Sequence, residues 1–263
     1  MNVYEYGTEH PRTLLMFQCT AEPWWALEPA AKCLARDFHV FLAAAEGHDP
    51  AEQSDFVSVE KYVDDTVRYV KDKGIARLDA VYGLSMGGAC ALRLLAIRTL
   101  PVEKAIVDAG ITPYPYPKWL CRLIAVRDYL MIRLVTGSMW MMKLASPPER
   151  WTPPGEDPEE HYRKIFDFEK HHYSRKTIWN SFWSANNYAM PDPIPRVSTE
   201  IEYWYGEEEK KARKADIAYA CRAFPQITLR RMDGMAHGEL AMVNPERFYA
   251  EAMRFLGGKG ENR

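Results

Sequence analysis

The chain has 263 residues, 47% hydrophobic and 27% charged, with a net charge of −2. This suits one large α/β domain or two small ones, with enough apolar residues for a sizeable core. The near-neutral balance excludes the electrostatic footprint of a nucleic-acid or anionic-membrane binder, so no nucleic-acid partner is expected.

Five cysteines (Cys19, Cys33, Cys90, Cys121, Cys221) are scattered without metal-type spacing. They read as reduced thiols, mostly in the core, and no metal or cofactor is expected. Met1 to Tyr6 has neither the basic n-region nor the apolar h-region of a secretory signal, which points to a cytoplasmic protein. The most apolar stretch, Trp119 to Leu144, is broken by Arg122, Arg127, Asp128, Arg133 and Lys143. Such charges are costly at a bilayer centre, so amphipathic helices are expected there and no membrane span. Oligomeric state leaves no legible mark.

Thr13 to Phe17 is a short apolar run suited to a buried parallel strand. Helical spacing follows over Leu27 to Ala35, then a second strand over Phe38 to Leu42 and a turn at Glu46-Gly47-His48-Asp49-Pro50. Ser58 precedes a helical stretch through Tyr62, Val63, Val67 and Val70 that stops near Gly74. Leu78 to Tyr82 is a third strand, Gly87 to Ile97 a helix, and Val102 to Val107 a fourth strand. The alternation predicts a doubly wound, mostly parallel α/β sheet.

The alternation then stops. Residues 112–195 read as helices separated by prolines, an insertion of about eighty residues, the size of a small sub-domain. Strand signals return at Ile201 to Tyr205 and Ile227 to Met232, with helices over Lys210 to Phe224 and Pro245 to Leu256. The core domain is therefore predicted as 1–111 plus 196–263.

Gly83-Leu84-Ser85-Met86-Gly87 lies between a predicted strand and a predicted helix. A G-x-S-x-G motif in that context forms a nucleophile elbow, a sharp turn whose flanking positions must lack side chains. The helix from Met86 turns its free N–H groups toward a developing oxyanion. A serine hydroxyl needs a base, and His237, in the loop after the last predicted strand, is the best placed of seven histidines. His48 also lies in a loop at a strand's C-terminal end, where it could line the site. An acid must hold the imidazole. Glu209, in Gly206-Glu207-Glu208-Glu209 after a strand, satisfies the order serine, acid, histidine; Glu208 beside it and Asp108 at another strand end are rivals.

With these residues the chain resembles the α/β-hydrolase superfamily over nearly its full length. The resemblance implies the α/β-hydrolase fold, with residues 112–195 as a helical cap over the site. It also implies an oxyanion hole from the N–H of Met86 and that of Cys19 or Thr20. Gln18-Cys19 stands where the family carries His-Gly, and Asp49 replaces the last glycine of its acidic-Gly-His-Gly turn. A glutamate in place of the commoner aspartate is a further departure.

The insertion's many aromatic and methionine residues mostly pack it onto the core domain, and the rest are expected to wall an apolar pocket. Trp24, Trp25, Leu84, Trp140 and Trp183 are the candidate substrate contacts. The expected activity is hydrolysis of an ester-like bond in a small apolar or aromatic substrate. The alternatives are a non-hydrolytic ligand-binding protein and a cofactor-free lyase or haloperoxidase on the same fold.

Overall fold

The computed structural model describes residues 1–257. Strand β1 (Asn2–Tyr6) precedes β2 (Thr13–Phe17), α1 (Glu28–Leu34), β3 (His39–Ala44), α2 (Val59–Asp72) and β4 (Leu78–Leu84). Then come α3 (Met86–Ile97) and β5 (Val102–Asp108). Five helices follow: α4 (Lys118–Val135), α5 (Met139–Ala145), α6 (Pro148–Trp151), α7 (Pro158–His171) and α8 (Arg175–Ala185). The chain finishes with β6 (Glu200–Gly206), α9 (Lys214–Ala223), β7 (Thr228–Met232), α10 (Glu239–Val243) and α11 (Pro245–Leu256).

The seven strands form one sheet in the order β1-β3-β2-β4-β5-β6-β7. Only β1 is antiparallel, pairing Asn2 with Ala44 through Tyr6 with Val40. The inner strands are apolar runs because both of their faces are covered. Along β2, Leu15 and Phe17 join the core shared with α2 and α3. Leu14 and Met16 join the opposite core, shared with α1 and α11.

Strand β1 was not anticipated from sequence. It is an edge strand, half-buried throughout, so it lacks the continuous apolar signal of β2. Asp49 explains its docking: one carboxylate oxygen accepts from Asn2 Nδ2 (2.7 Å) and the Tyr4 hydroxyl (2.8 Å), the other from Ala51 N. Helix α10 was also unanticipated, and the expected helix from Lys210 begins at Lys214.

Helices α4 to α8 all lie between β5 and β6. Phe168, Tyr173 and Ile178 form a small core of their own, and α4 packs along α8. Trp119, Leu123, Leu130 and Leu134 of α4 nevertheless remain exposed. Among the described residues, no helix is long and apolar enough to cross a membrane.

The tightest joint in the fold is where β4 turns into α3. A Cβ on Gly83 would lie 2.0 Å from Gly87 O, and one on Gly87 would lie 2.2 Å from Phe17 O. Alanine at position 87 gains about 1 kcal/mol of helix propensity. Forcing a methyl against a backbone carbonyl that cannot rotate away costs more, so Gly87→Ala is expected to destabilise the protein by about 2 kcal/mol. Urea unfolding of the variant measures this, and equal or greater stability than wild type would contradict the close approach.

Candidate active site

Ser85 sits between β4 and α3 with φ of +57°, a left-handed conformation that a non-glycine residue holds only when its surroundings enforce it. Two backbone hydrogen bonds do so. Ser85 N donates to Asp108 O (2.8 Å), and Ile111 N donates to Ser85 O (3.1 Å). The turn is thereby fastened to the chain leaving β5.

His237 lies in the loop between β7 and α10, and its Nδ1 is 2.6 Å from Glu209 Oε2. The other oxygen of Glu209 accepts from Gly206 N at 2.9 Å, and Arg213 Nε lies 3.8 Å from Oε2. Burial pushes the Glu209 carboxyl upward. The His237 hydrogen bond and charge, the Gly206 N–H and Arg213 outweigh burial and hold it below its ordinary value. Gly206 is itself pressed by the His237 loop: a Cβ there would lie 2.3 Å from Met235 O. The strand end that carries the acid and the loop that carries the histidine therefore fit directly together.

The two rival acids are engaged elsewhere. Asp108 is buried and accepts from the Tyr82 hydroxyl at 2.7 Å; burial pushes its carboxyl up to about 7 despite that bond. Glu208 faces α6, where Arg150 bridges it at 2.8 Å and Glu239 at 2.7 Å. Glu239 also accepts from Ala236 N (2.7 Å), so Arg150 ties the helical insertion to the His237 loop.

Ser85 and His237 both line a cavity of about 1070 Å³ between the carboxyl ends of the strands and the insertion. No hydrogen bond joins the two side chains among the described residues. Cys19, Thr20, Leu84 and Trp25 line the same space. Burial drives the Cys19 thiol well above its ordinary value, so it supplies no thiolate there. Met86 is the first residue of α3, and its N–H has no acceptor within the helix.

Three expected substrate contacts do not line the cavity. Trp24 stacks on Tyr4 with ring centroids 3.6 Å apart, Trp183 stacks on Trp179, and Trp140 is 68% exposed. Indole rings find partners of several kinds, and only the packing of α5 and α8 decides which way theirs turn. His48 is likewise not on the cavity wall. It is fully buried, burial lowers it to about 4, and it contacts the Tyr173 hydroxyl through Nε2 and Glu46 O through Nδ1 (3.0 Å).

That Tyr173 hydroxyl also accepts from Ala21 N (2.8 Å), which holds the loop after β2 in a left-handed turn at Ala21 (φ +61°). Gln18 secures the same loop from below, accepting from Ala45 N at 3.0 Å and donating to Glu22 O at 3.3 Å. Sequence reasoning noticed only that Gln18 departs from a family pattern. It gave no sign of Tyr173, which lies 152 residues from Ala21.

A parallel sheet whose central strand turns through a strained serine, beneath a helical insertion, is the architecture of an α/β hydrolase. The model of the alpha/beta hydrolase family matches residues 18–252, and the chain belongs to that family. No curated protein matches the sequence. Among solved structures, an alpha/beta hydrolase family protein from Desulfitobacterium hafniense is similar, with TM-score 0.73 and 16% identity, covering 97% of this chain and 100% of that one. The enol-lactonase from Burkholderia xenovorans has TM-score 0.70 and 17% identity, covering 98% and 96%. The epoxide hydrolase from Vigna radiata has TM-score 0.72 and 14% identity, covering 97% and 93%. At these identities the likeness is one of fold.

Asp108 generates a prediction about stability. Its folded carboxyl titrates near 7 and an unfolded one near 3.8, so between these values the folded state binds more protons. Its contribution is complete below the lower value and is lost as pH rises toward the upper. Wild type is therefore expected to lose more stability between pH 5 and pH 8 than Asp108→Asn, as measured by urea unfolding at the two pH values. Equal losses would overturn the reading.

Proposed function

We propose that this protein is a serine hydrolase that cleaves an ester-like bond in a small molecule by acyl transfer. Ser85 Oγ attacks the carbonyl carbon while His237 takes its proton through Nε2. The negative oxygen rests on the N–H of Met86 and that of Cys19 or Thr20. His237 then returns the proton to the leaving alcohol, and the bond to that oxygen breaks. In the second step a water, deprotonated by His237, attacks the acyl-serine ester and releases the acid. Glu209 fixes the imidazole tautomer that leaves Nε2 free and stabilises the imidazolium that forms.

The observation that carries this reading is the 2.6 Å contact between Glu209 and His237 Nδ1, with His237 lining the same cavity as the strained Ser85. Glu209 is favoured over Asp108 because it is held ionised, whereas Asp108 is committed to Tyr82. An esterase of a marine microorganism and an enol-lactonase share the fold, so ester chemistry is at home on it.

A fluorophosphonate probe is expected to label wild type and not Ser85→Ala; failure to label folded wild type would overturn the proposal and favour a binding protein. Product analysis on a p-nitrophenyl ester panel separates hydrolysis from lyase or haloperoxidase chemistry on the same residues. Glu209→Gln is expected to lower kcat by roughly a thousandfold or more, because the imidazole loses its orienting acceptor. Asp108→Asn is expected to change kcat by less than about tenfold. The reverse ranking would reassign the acid to Asp108.

A further inference from the structure

The cavity that holds Ser85 and His237 is unevenly charged. Six carboxylates line it (Glu22, Glu28, Glu156, Asp157, Glu160, Glu169) against a single lysine, Lys164. Four of the six are satisfied within the protein. Glu28 meets Tyr6 and Lys32, Glu156 meets His161, Glu160 meets Lys164, and Asp157 caps α7 through Glu160 N.

Glu22 and Glu169 are different. Neither carboxylate has a hydrogen-bond or ion-pair partner among the described residues, and Oε2 of Glu169 is buried and unsatisfied in a residue only 6% exposed. An orphaned buried acceptor is costly, and more so when it is charged, so its retention in a cavity wall calls for a ligand. Each group is perturbed in the direction this isolation requires. Burial pushes the Glu22 carboxyl up, and burial together with the charge of Glu22 pushes the Glu169 carboxyl up. The cavity also presents Trp25, Trp151, Tyr162 and Phe182, ring faces that attract ammonium groups.

We propose that Glu22 and Glu169 form an anionic subsite for a primary ammonium group on the substrate. The ammonium donates to the two carboxylates while the apolar remainder of the molecule crosses the cavity toward Ser85. A primary ammonium fits better than a quaternary one, because the Glu169 oxygen lacks a hydrogen-bond donor and not merely a charge. The subsite gives the substrate of the proposed hydrolase an amino terminus remote from the ester, and in that respect it rests on the serine-hydrolase reading.

Binding can be tested apart from catalysis. Calorimetry of n-hexylammonium against the neutral isostere 1-hexanol, on both wild type and Ser85→Ala, is expected to show at least tenfold tighter binding of the ammonium. The double variant Glu22→Gln, Glu169→Gln is expected to lose that preference. The kinetic counterpart compares p-nitrophenyl 6-aminohexanoate with p-nitrophenyl heptanoate, extended to shorter and longer chains. Wild type is expected to favour the amino ester by at least tenfold in kcat/KM at the best length, with the ratio falling toward one in the double variant.

Equal binding of n-hexylammonium and 1-hexanol by wild type would overturn the subsite, and that comparison needs no variant to fold. An ammonium preference that survives in the double variant would overturn the assignment to Glu22 and Glu169. Ammonium selectivity without fluorophosphonate labelling would uphold the subsite while removing the hydrolase reading. Labelling at Ser85 without ammonium selectivity would do the opposite.

Discussion

The tightest glycine approach among the described residues lies at the turn after β4. Helix α3 can start only where Gly87 rests against Phe17 O and Gly83 lies beneath Gly87, with no room for a Cβ at either glycine. That contact forces Ser85 into a left-handed conformation, and the hydrogen bonds to Asp108 O and from Ile111 N keep it there. Because β2, β4 and β5 are adjacent in the sheet, the same joint fixes three strand ends relative to one another. The loop after β2, which carries Cys19 and Thr20, is thereby brought to the serine.

A second region depends on that geometry in a different way. Glu209 and His237 come from neighbouring strand ends, β6 and β7, and meet because the His237 loop presses directly on Gly206. The balance of terms at Glu209 sets its state: burial opposes its charge, while a histidine, a backbone N–H and an arginine favour it more. At Asp108 burial, with the charge of Glu209, outweighs the Tyr82 hydroxyl and the charge of His237. Two buried carboxyls near neighbouring strand ends are thus shifted in opposite directions.

The helical insertion does more than cover the strand ends. Arg150 grips Glu208 and Glu239 beside the His237 loop, and Tyr173 grips the loop after β2 through Ala21 N. Helix α6 and the loop between α7 and α8 are thus each tied to a loop that borders the cavity. The insertion also supplies Glu169, while the core domain supplies Glu22, so the carboxylate pair exists only where the two layers meet.

The sequence by itself determined the alternating sheet, the helical interruption and the turn at Ser85, since each is written locally. Apolar runs with both faces buried mark the inner strands, the glycine spacing marks a close backbone approach, and chain order narrows the acid to three candidates. Edge strand β1 escaped because half of its surface faces solvent and its anchor, Asp49, is 47 residues away from Asn2. Only the tertiary structure distinguishes the surroundings of Glu209, Glu208 and Asp108, because packing sets which carboxylate reaches His237 and which are taken by Arg150 and Tyr82. It alone turned Trp25 into the cavity and left Trp140 outside, and it alone brought Glu22 and Glu169 together. Side-chain direction and long-range pairing follow from packing between layers, which no local pattern encodes.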